Sequence, residues 1–332
     1  MEDVKLTIGK ENGLKRNLSI DVLRIFACLG VLIVHVTIST QTHSFLEEWS
    51  VGWFVNYILK ITFSWSVPIF AMITGFLFLS PEKELHLKKL YGKNILRLVL
   101  SLVFWTLFYA ITLHFPYYPF NGSNSNLWYV RVCIGLYMSM PILRAIASDD
   151  KLLPYCCWAW LAIRALCNIE LFVEIPIKIT NFMVTEYAGF CLWGCYLSRI
   201  QLNRKQLHIV YLVGLLVLLL TMLSFFLVKD DIRSCVSDID PFFVCVAIFL
   251  FAIRHQPKFS MKLERLVTYV SGMTFGVYMV HSFVMIMIFD RLHRIFPNVL
   301  LLIPLSFLVT VVFSFLIILV IKQIPILKKW VV

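Results

Sequence analysis

Two ionisable side chains stand eleven residues apart inside the first long apolar run of this chain. They are Arg24 and His35, in a segment that opens Ile20-Asp21-Val22-Leu23-Arg24 and closes Ile33-Val34-His35-Val36. An α-helix turns about 100° per residue, so eleven steps return to nearly the same direction. Arg24 and His35 are therefore expected on one helix face, roughly 16 Å apart along the axis. Asp21, three residues before Arg24, is expected on the same side. Ionisable groups inside a membrane are costly and mark a cavity, a substrate path or a reaction centre. A fixed cation with a titratable base suits proton abstraction beside an anionic or carbonyl-bearing reactant.

The elements that must position these groups are set by composition. Hydrophobic residues make up 60% of the 332, charged residues only 15%, and the mean hydropathy is +0.84. Soluble domains carry roughly 25% charged residues. Apolar runs of spanning length recur along the chain, which predicts an all-α polytopic membrane helical bundle of about ten transmembrane helices. The spans are expected near 18–39, 51–79, 91–115, 126–146, 152–172, 181–199, 207–228, 240–254, 267–289 and 298–321. Lys60 interrupts the second run, so residues 51–60 also read as a tilted or interfacial start. The first run is longer than a signal-peptide core and lacks a small-residue cleavage site, so it is read as a mature helix.

The net charge of +11 is read as topology rather than as affinity for nucleic acid. Of the 30 basic residues, 21 fall on segments cytoplasmic in a scheme with an inside N-terminus, and six fall outside. The bias predicts that both the N- and C-termini are cytoplasmic. Residues 1–17 then form a cytoplasmic segment, 18–321 a single transmembrane domain, and 322–332 a cytoplasmic tail.

The nine cysteines form no C-x-x-C pair, and eight of them fall in apolar runs. No metal site is expected; Cys191 and Cys195 share a helix face but read as small apolar packing residues. Of the eight histidines, only His35 and His281 lie well inside apolar runs. Pro68 and Thr74-Gly75 predict a bent, closely packed helix that surrounds a cavity or simply kinks. Arg131, beside the interface aromatics Trp128 and Tyr129, reads either as a snorkelling cation or as a contact for an anionic substrate group. Arg164, Glu170 and Glu186 read as paired structural charges.

Four ordered stretches resemble the acyltransferase family 3 membrane proteins. The first is Leu18 to Arg24 followed by His35, which is similar to that family's arginine, ten residues, histidine signature. The second is Val67-Pro68-Ile69-Phe70 to Thr74-Gly75-Phe76-Leu77, with threonine in a serine position. The third is Leu127-Trp128-Tyr129-Val130 with Tyr137 and Pro141, and the fourth is Ser271-Gly272-Met273-Thr274 through Tyr278 to His281. An arginine pair of the family's first cytoplasmic loop is only half matched, by Arg97, with Asn94 at its first position and Lys93 beside it.

The resemblance implies transfer of an acyl group, most often acetyl, to a hydroxyl of a cell-envelope glycan or lipid-linked sugar. The donor it implies is acetyl-coenzyme A, bound as substrate, and the implied location is the bacterial cytoplasmic (inner) membrane, with membrane lipids as neighbours. Arg24 and His35 match the family's essential pair, and Asp21 is read as the group that holds Arg24. Arg97, Lys93 and Lys88, on the basic stretch 83–97, are the expected donor contacts, although topology alone also predicts those lysines. The expected substrate contacts are Arg131, Trp128, Tyr137, Tyr278 and His281. His35 is expected to act as general base; direct transfer and an acyl-histidine intermediate both remain open. The competing readings are a polytopic transporter or flippase that uses buried Arg, Glu and His, and a membrane sensory or uptake module. Oligomeric state is not legible in the sequence.

Overall fold

A computed structural model of the chain describes residues 17–42, 46–80, 84–113, 127–170, 186–227 and 241–331, and these are all-helical. The helices are α1 (Leu18–Thr42), α2 (Val51–Thr62), α3 (Ser66–Phe78), α4 (Leu87–Leu113), α5 (Trp128–Ser148) and α6 (Leu152–Glu170). They continue with α7 (Glu186–Arg199), α8 (Arg204–Leu227), α9 (Phe242–Arg254), α10 (Met261–Ser271), α11 (Thr274–Ile295), α12 (Val299–Ile321) and α13 (Pro325–Trp330). Among the described residues, seven helical stretches are long and apolar enough to cross a membrane, and Leu152–Leu166 and Phe242–Arg254 are shorter apolar helices. Residues 1–16 and the side chain of Glu170 lie outside the description.

Two expected spans are built differently. The second run breaks at Phe63–Trp65 into α2 and α3. Pro68 thereby falls in the first turn of α3, where backbone donors have no helical partner and a missing N–H costs nothing. The expected kink is thus a helix start. The ninth run breaks at Gly272-Met273, so the crossing helix begins at Thr274 and reaches Ile295. The Thr274 hydroxyl donates to the Ser271 carbonyl at 2.8 Å across that break. The preceding α10 carries Lys262, Glu264 and Arg265 and is largely exposed.

The core forms around two groups of helices. One packs α3, α5, α7 and α9 through Ile69, Met72, Met140, Phe190, Trp193 and Phe249; the other packs α1, α4 and α11 through Leu32, Trp105, Tyr109, Val277 and Met279. The α3–α7 contact is the closest. A Cβ at Gly75 would lie 1.7 Å from the Cys191 carbonyl oxygen, and one at Gly194 would lie 2.0 Å from that of Met72. Only a missing side chain lets the two backbones meet.

The end of the bundle where α1 begins is tied by arginines that donate to helix-terminal carbonyls. Arg144 donates to Phe78 at 2.9 Å, Arg199 to Ala147 at 2.6 Å and Leu79 at 3.0 Å, and Arg254 to Ile200. Such carbonyls lack helical partners, and a cation also suits the negative end of the helix dipole. The chain's last described turn returns to α4. The Ser101 hydroxyl donates to the Trp330 carbonyl at 2.8 Å, and the Trp105 indole donates to that of Val331 at 3.5 Å. Arg164 and Glu186 pair at 3.0 Å between α6 and α7.

Candidate active site

A cavity of about 560 Å³ lies between α1, α3, α4, α5 and α11. Its polar walls are Arg24, Asn94, Arg97, Tyr129, Tyr137 and Tyr278, with Thr74, Cys133, Ser271 and Thr274. Phe70, Leu77, Phe78, Leu98 and Phe275 supply apolar surface. A mostly apolar chamber with a few convergent polar groups is the general form of a small-molecule site.

Arg24 reaches this cavity from the first turns of α1. Its Nη1 lies 3.7 Å from Asp21 Oδ1, and the same oxygen accepts the Ser271 hydroxyl at 2.8 Å. Asp21 is buried and does not line the cavity. It therefore serves as the anchor that fixes Arg24 and ties α1 to the end of α10. Arg97 enters from α4, its guanidinium 5.7 Å from the centre of the Phe275 ring.

The placement of Asn94 and Arg97 depends on an irregular turn. Residues Leu90–Ile95 are π-helical, with bonds closing over five residues instead of four. A widened turn of this kind is common at functional positions. Asn94 and Arg97, three apart, then look into one cavity together.

His35 does not line the cavity. It lies farther along α1, half-buried, with its ring 4.8 Å from that of His281 in an edge-on contact. Among the described residues, no group hydrogen-bonds the His35 ring. His281 is fully buried. Its Nδ1 faces the Tyr278 carbonyl, which can only accept, so the ring hydrogen sits on Nδ1. Nε2 is left to accept the Ser282 hydroxyl at 3.1 Å. The His281 ring is 5.5 Å from that of Tyr278, and Tyr278 is a wall of the cavity. The histidine pair thus stands directly behind that wall.

Tyr109 of α4 holds this part of α11. Its hydroxyl donates to the Met279 carbonyl at 2.9 Å and accepts from the Phe283 N–H at 3.0 Å. Those two backbone groups are four apart, the pair that one helical hydrogen bond would join. The hydroxyl bridges them across the turn that carries His281 and Ser282.

The structure brings together Arg24, Arg97, Tyr137 and Tyr278, four of the residues singled out in the sequence, and places His35 against His281. It separates four others from the cavity. Lys88 and Lys93 are exposed and do not line it. The segment's apolar contacts turn its Asn94-Arg97 side inward, which leaves the longer-hydrated lysines to solvent. Trp128 stacks edge-on with Tyr129 at 5.7 Å and tilts over Tyr187 at 5.8 Å, outside the lining. Arg131 is half-buried elsewhere. On α5 it lies two residues from Tyr129, about 200° round the helix. Tyr129, Cys133 and Tyr137 recur every four residues and share the inward face. That spacing is visible in the sequence and would have found Tyr129 and Cys133. Nothing in the sequence marks Tyr109, because its role needs the α4–α11 contact.

Among the described residues no cluster of histidine, cysteine and carboxylate side chains has the form of a metal site. No curated protein and no solved structure matches the chain. A family model described as an acyltransferase domain matches residues 17–319, from the first turn of α1 to the last turns of α12, and so takes in the cavity, the Asp21–Arg24 anchor and the histidine pair. The chain belongs to this family of membrane acyltransferases.

Proposed function

We propose that the protein transfers an acyl group, acetyl in the simplest case, from a coenzyme A thioester to a hydroxyl of a cell-envelope glycan or lipid-linked sugar. The observation that carries this reading is the sequence of groups along one path. Arg24 and Arg97 stand in the cavity, Tyr278 closes it, and the His35–His281 pair lies immediately behind. Basic residues concentrate on the loops at the Arg24 end, which assigns that end to the cytoplasm, where an acyl thioester is at hand. The acceptor then meets His35 from the opposite side, and both chain ends are cytoplasmic, with the protein in a bacterial inner membrane.

In this mechanism neutral His35 takes the proton of the acceptor hydroxyl. The oxygen attacks the thioester carbonyl, a C–O bond forms, and the C–S bond breaks. The departing sulfur receives the proton back from His35. Arg24, roughly 16 Å away along α1, lies beside the anionic part of the donor, where a fixed cation offsets its negative charge. Asp21 keeps it aimed. His281, with its hydrogen held on Nδ1, packs against the base and sets its ring orientation.

The test is labelled acetyl-coenzyme A supplied to membranes that contain the protein. Label entering a glycolipid band, absent from membranes without the protein, is the expected result. Transport of glycolipid with no donor consumed would favour the carrier reading instead.

A further inference from the structure

The short helix that leads into α11 sorts its charges by side. On α10, Lys262, Arg265 and Tyr269 recur at three and four residues and so share a face. Glu264, the acid of this helix, stands about 140° round from Tyr269. Lys262 and Arg265 are exposed, and Leu266 and Tyr269 beside them are 56% and 46% exposed. The end of α12 adds to this face. Lys322, which caps that helix, places its ammonium 4.1 Å from the centre of the Tyr269 ring. Partial burial and the nearby charge of Lys328 on α13 both lower the Lys322 pKa. An anion seated between the two would relieve that repulsion. Among the described residues no carboxylate pairs with Lys262, Arg265, Lys322 or Lys328.

The depth of this cluster points to its ligand. α12 has 23 residues, about 34 Å of helix, enough to cross a hydrocarbon layer of about 30 Å. Lys322 therefore marks the edge of that layer, and Tyr269 stands at the same edge. Arg265, four residues back, is within about 6 Å of it. Phospholipid headgroups occupy roughly 5–8 Å beyond the hydrocarbon on each side. Tyrosine favours this level, and a basic helix face with exposed apolar neighbours is the form of an interfacial lipid contact.

We infer that Lys262, Arg265, Lys322 and Lys328 form a binding site for the phosphate headgroup of an anionic phospholipid, in the leaflet at the Arg24 end of the bundle. The lysines serve as point charges, and Arg265 adds a planar donor set that matches phosphate oxygens. Leu266 offers apolar surface to the start of the acyl chains. Glu264, turned to the other side of α10, does not repel the headgroup.

The experiment offers equal amounts of phosphatidylglycerol and phosphatidylcholine to the purified full-length protein in detergent, and native mass spectrometry counts the lipid retained. Wild type is expected to retain phosphatidylglycerol preferentially. The double variant Arg265→Gln with Lys322→Gln is expected to lower that preference by about tenfold or more, the effect of two charges near a lipid headgroup. Lys322→Arg, which keeps the charge, is expected to retain it. Arg204→Gln with Lys205→Gln removes the same charge from the start of α8, at the same end of the bundle, and is expected to leave the preference within about twofold. No preference in wild type, or an equal fall in the α8 variant, overturns the inference in favour of diffuse attraction. Release of the lipid by an excess of inorganic phosphate would make this a site for free anions and would overturn the lipid assignment.

Discussion

His35 and Arg24 leave the same helix toward different tasks. Arg24 lines the cavity, and His35 meets His281 behind the Tyr278 wall. Their separation of roughly 16 Å along the axis suits a division between a charge that holds one reactant and a base that serves the other. Asp21 acts through Arg24, so its removal belongs on binding. Asp21→Asn keeps the Ser271 contact in form and loses the charge that faces Arg24 at 3.7 Å. Its KM for the acyl donor is expected to rise about tenfold, equivalent to about 1.4 kcal/mol, with a smaller change in kcat. Donor saturation curves at matched protein level measure this; a fall confined to kcat would contradict the anchoring role. The anchor was legible in the sequence because three-residue spacing on a helix forces the two side chains together. The histidine pair was legible only as two separate buried histidines, since 246 residues of chain separate them and only tertiary packing joins them.

At the scale of helices, irregular places do the positioning. Tyr109 bridges a carbonyl and an N–H within α11, and Tyr109→Phe leaves both without that partner. The two groups can still pair with each other along the helix, so the loss is that of a buried hydrogen bond, about 0.5–1.5 kcal/mol, and the turn that carries His281 loosens. The expected result is lower thermal stability with kcat reduced more than donor KM, read from a melting curve and from kinetics of the same preparation. A variant as stable and as fast as wild type would show that the bridge is incidental. Gly194→Leu forces a side chain into the Met72 carbonyl, 2.0 Å from the Cβ position. Overpacking costs about 1–3 kcal/mol or more, so monodisperse protein on size-exclusion chromatography is expected to fall sharply, and wild-type yield would refute the close α3–α7 contact. Gly75 was readable beforehand as a close-approach position, from Thr74-Gly75 inside an apolar run. The breaks at Phe63–Trp65 and Gly272-Met273 and the π-helical turn at Leu90–Ile95 were not. Apolar composition continues through the first two breaks, the mixed Leu90–Ile95 stretch carries no helix-breaking proline, and backbone hydrogen bonding leaves no trace in hydropathy.

On the scale of the whole molecule, the membrane class follows from composition and the cavity follows from helix order. Residues 24, 94–97, 129–137 and 271–278 come from four distant parts of the chain, and the bundle alone makes them neighbours. The basic-residue bias that orients the bundle is an independent claim. Reporter fusions after Lys258 and at the C-terminus are expected to read cytoplasmic, and a fusion near Asn298 external; a C-terminus reading external would invert the donor side. The measurement that tests the central claim most directly uses the His35→Ala protein, purified beside wild type, with both donor binding and acyl transfer recorded. Removal of a general base costs about 10²–10⁴-fold in rate, while the cavity proposed for the donor is not lined by His35. The account predicts transfer lost by at least about a hundredfold with donor affinity unchanged within about twofold. Transfer that persists in His35→Ala, or donor binding lost together with transfer, would contradict it.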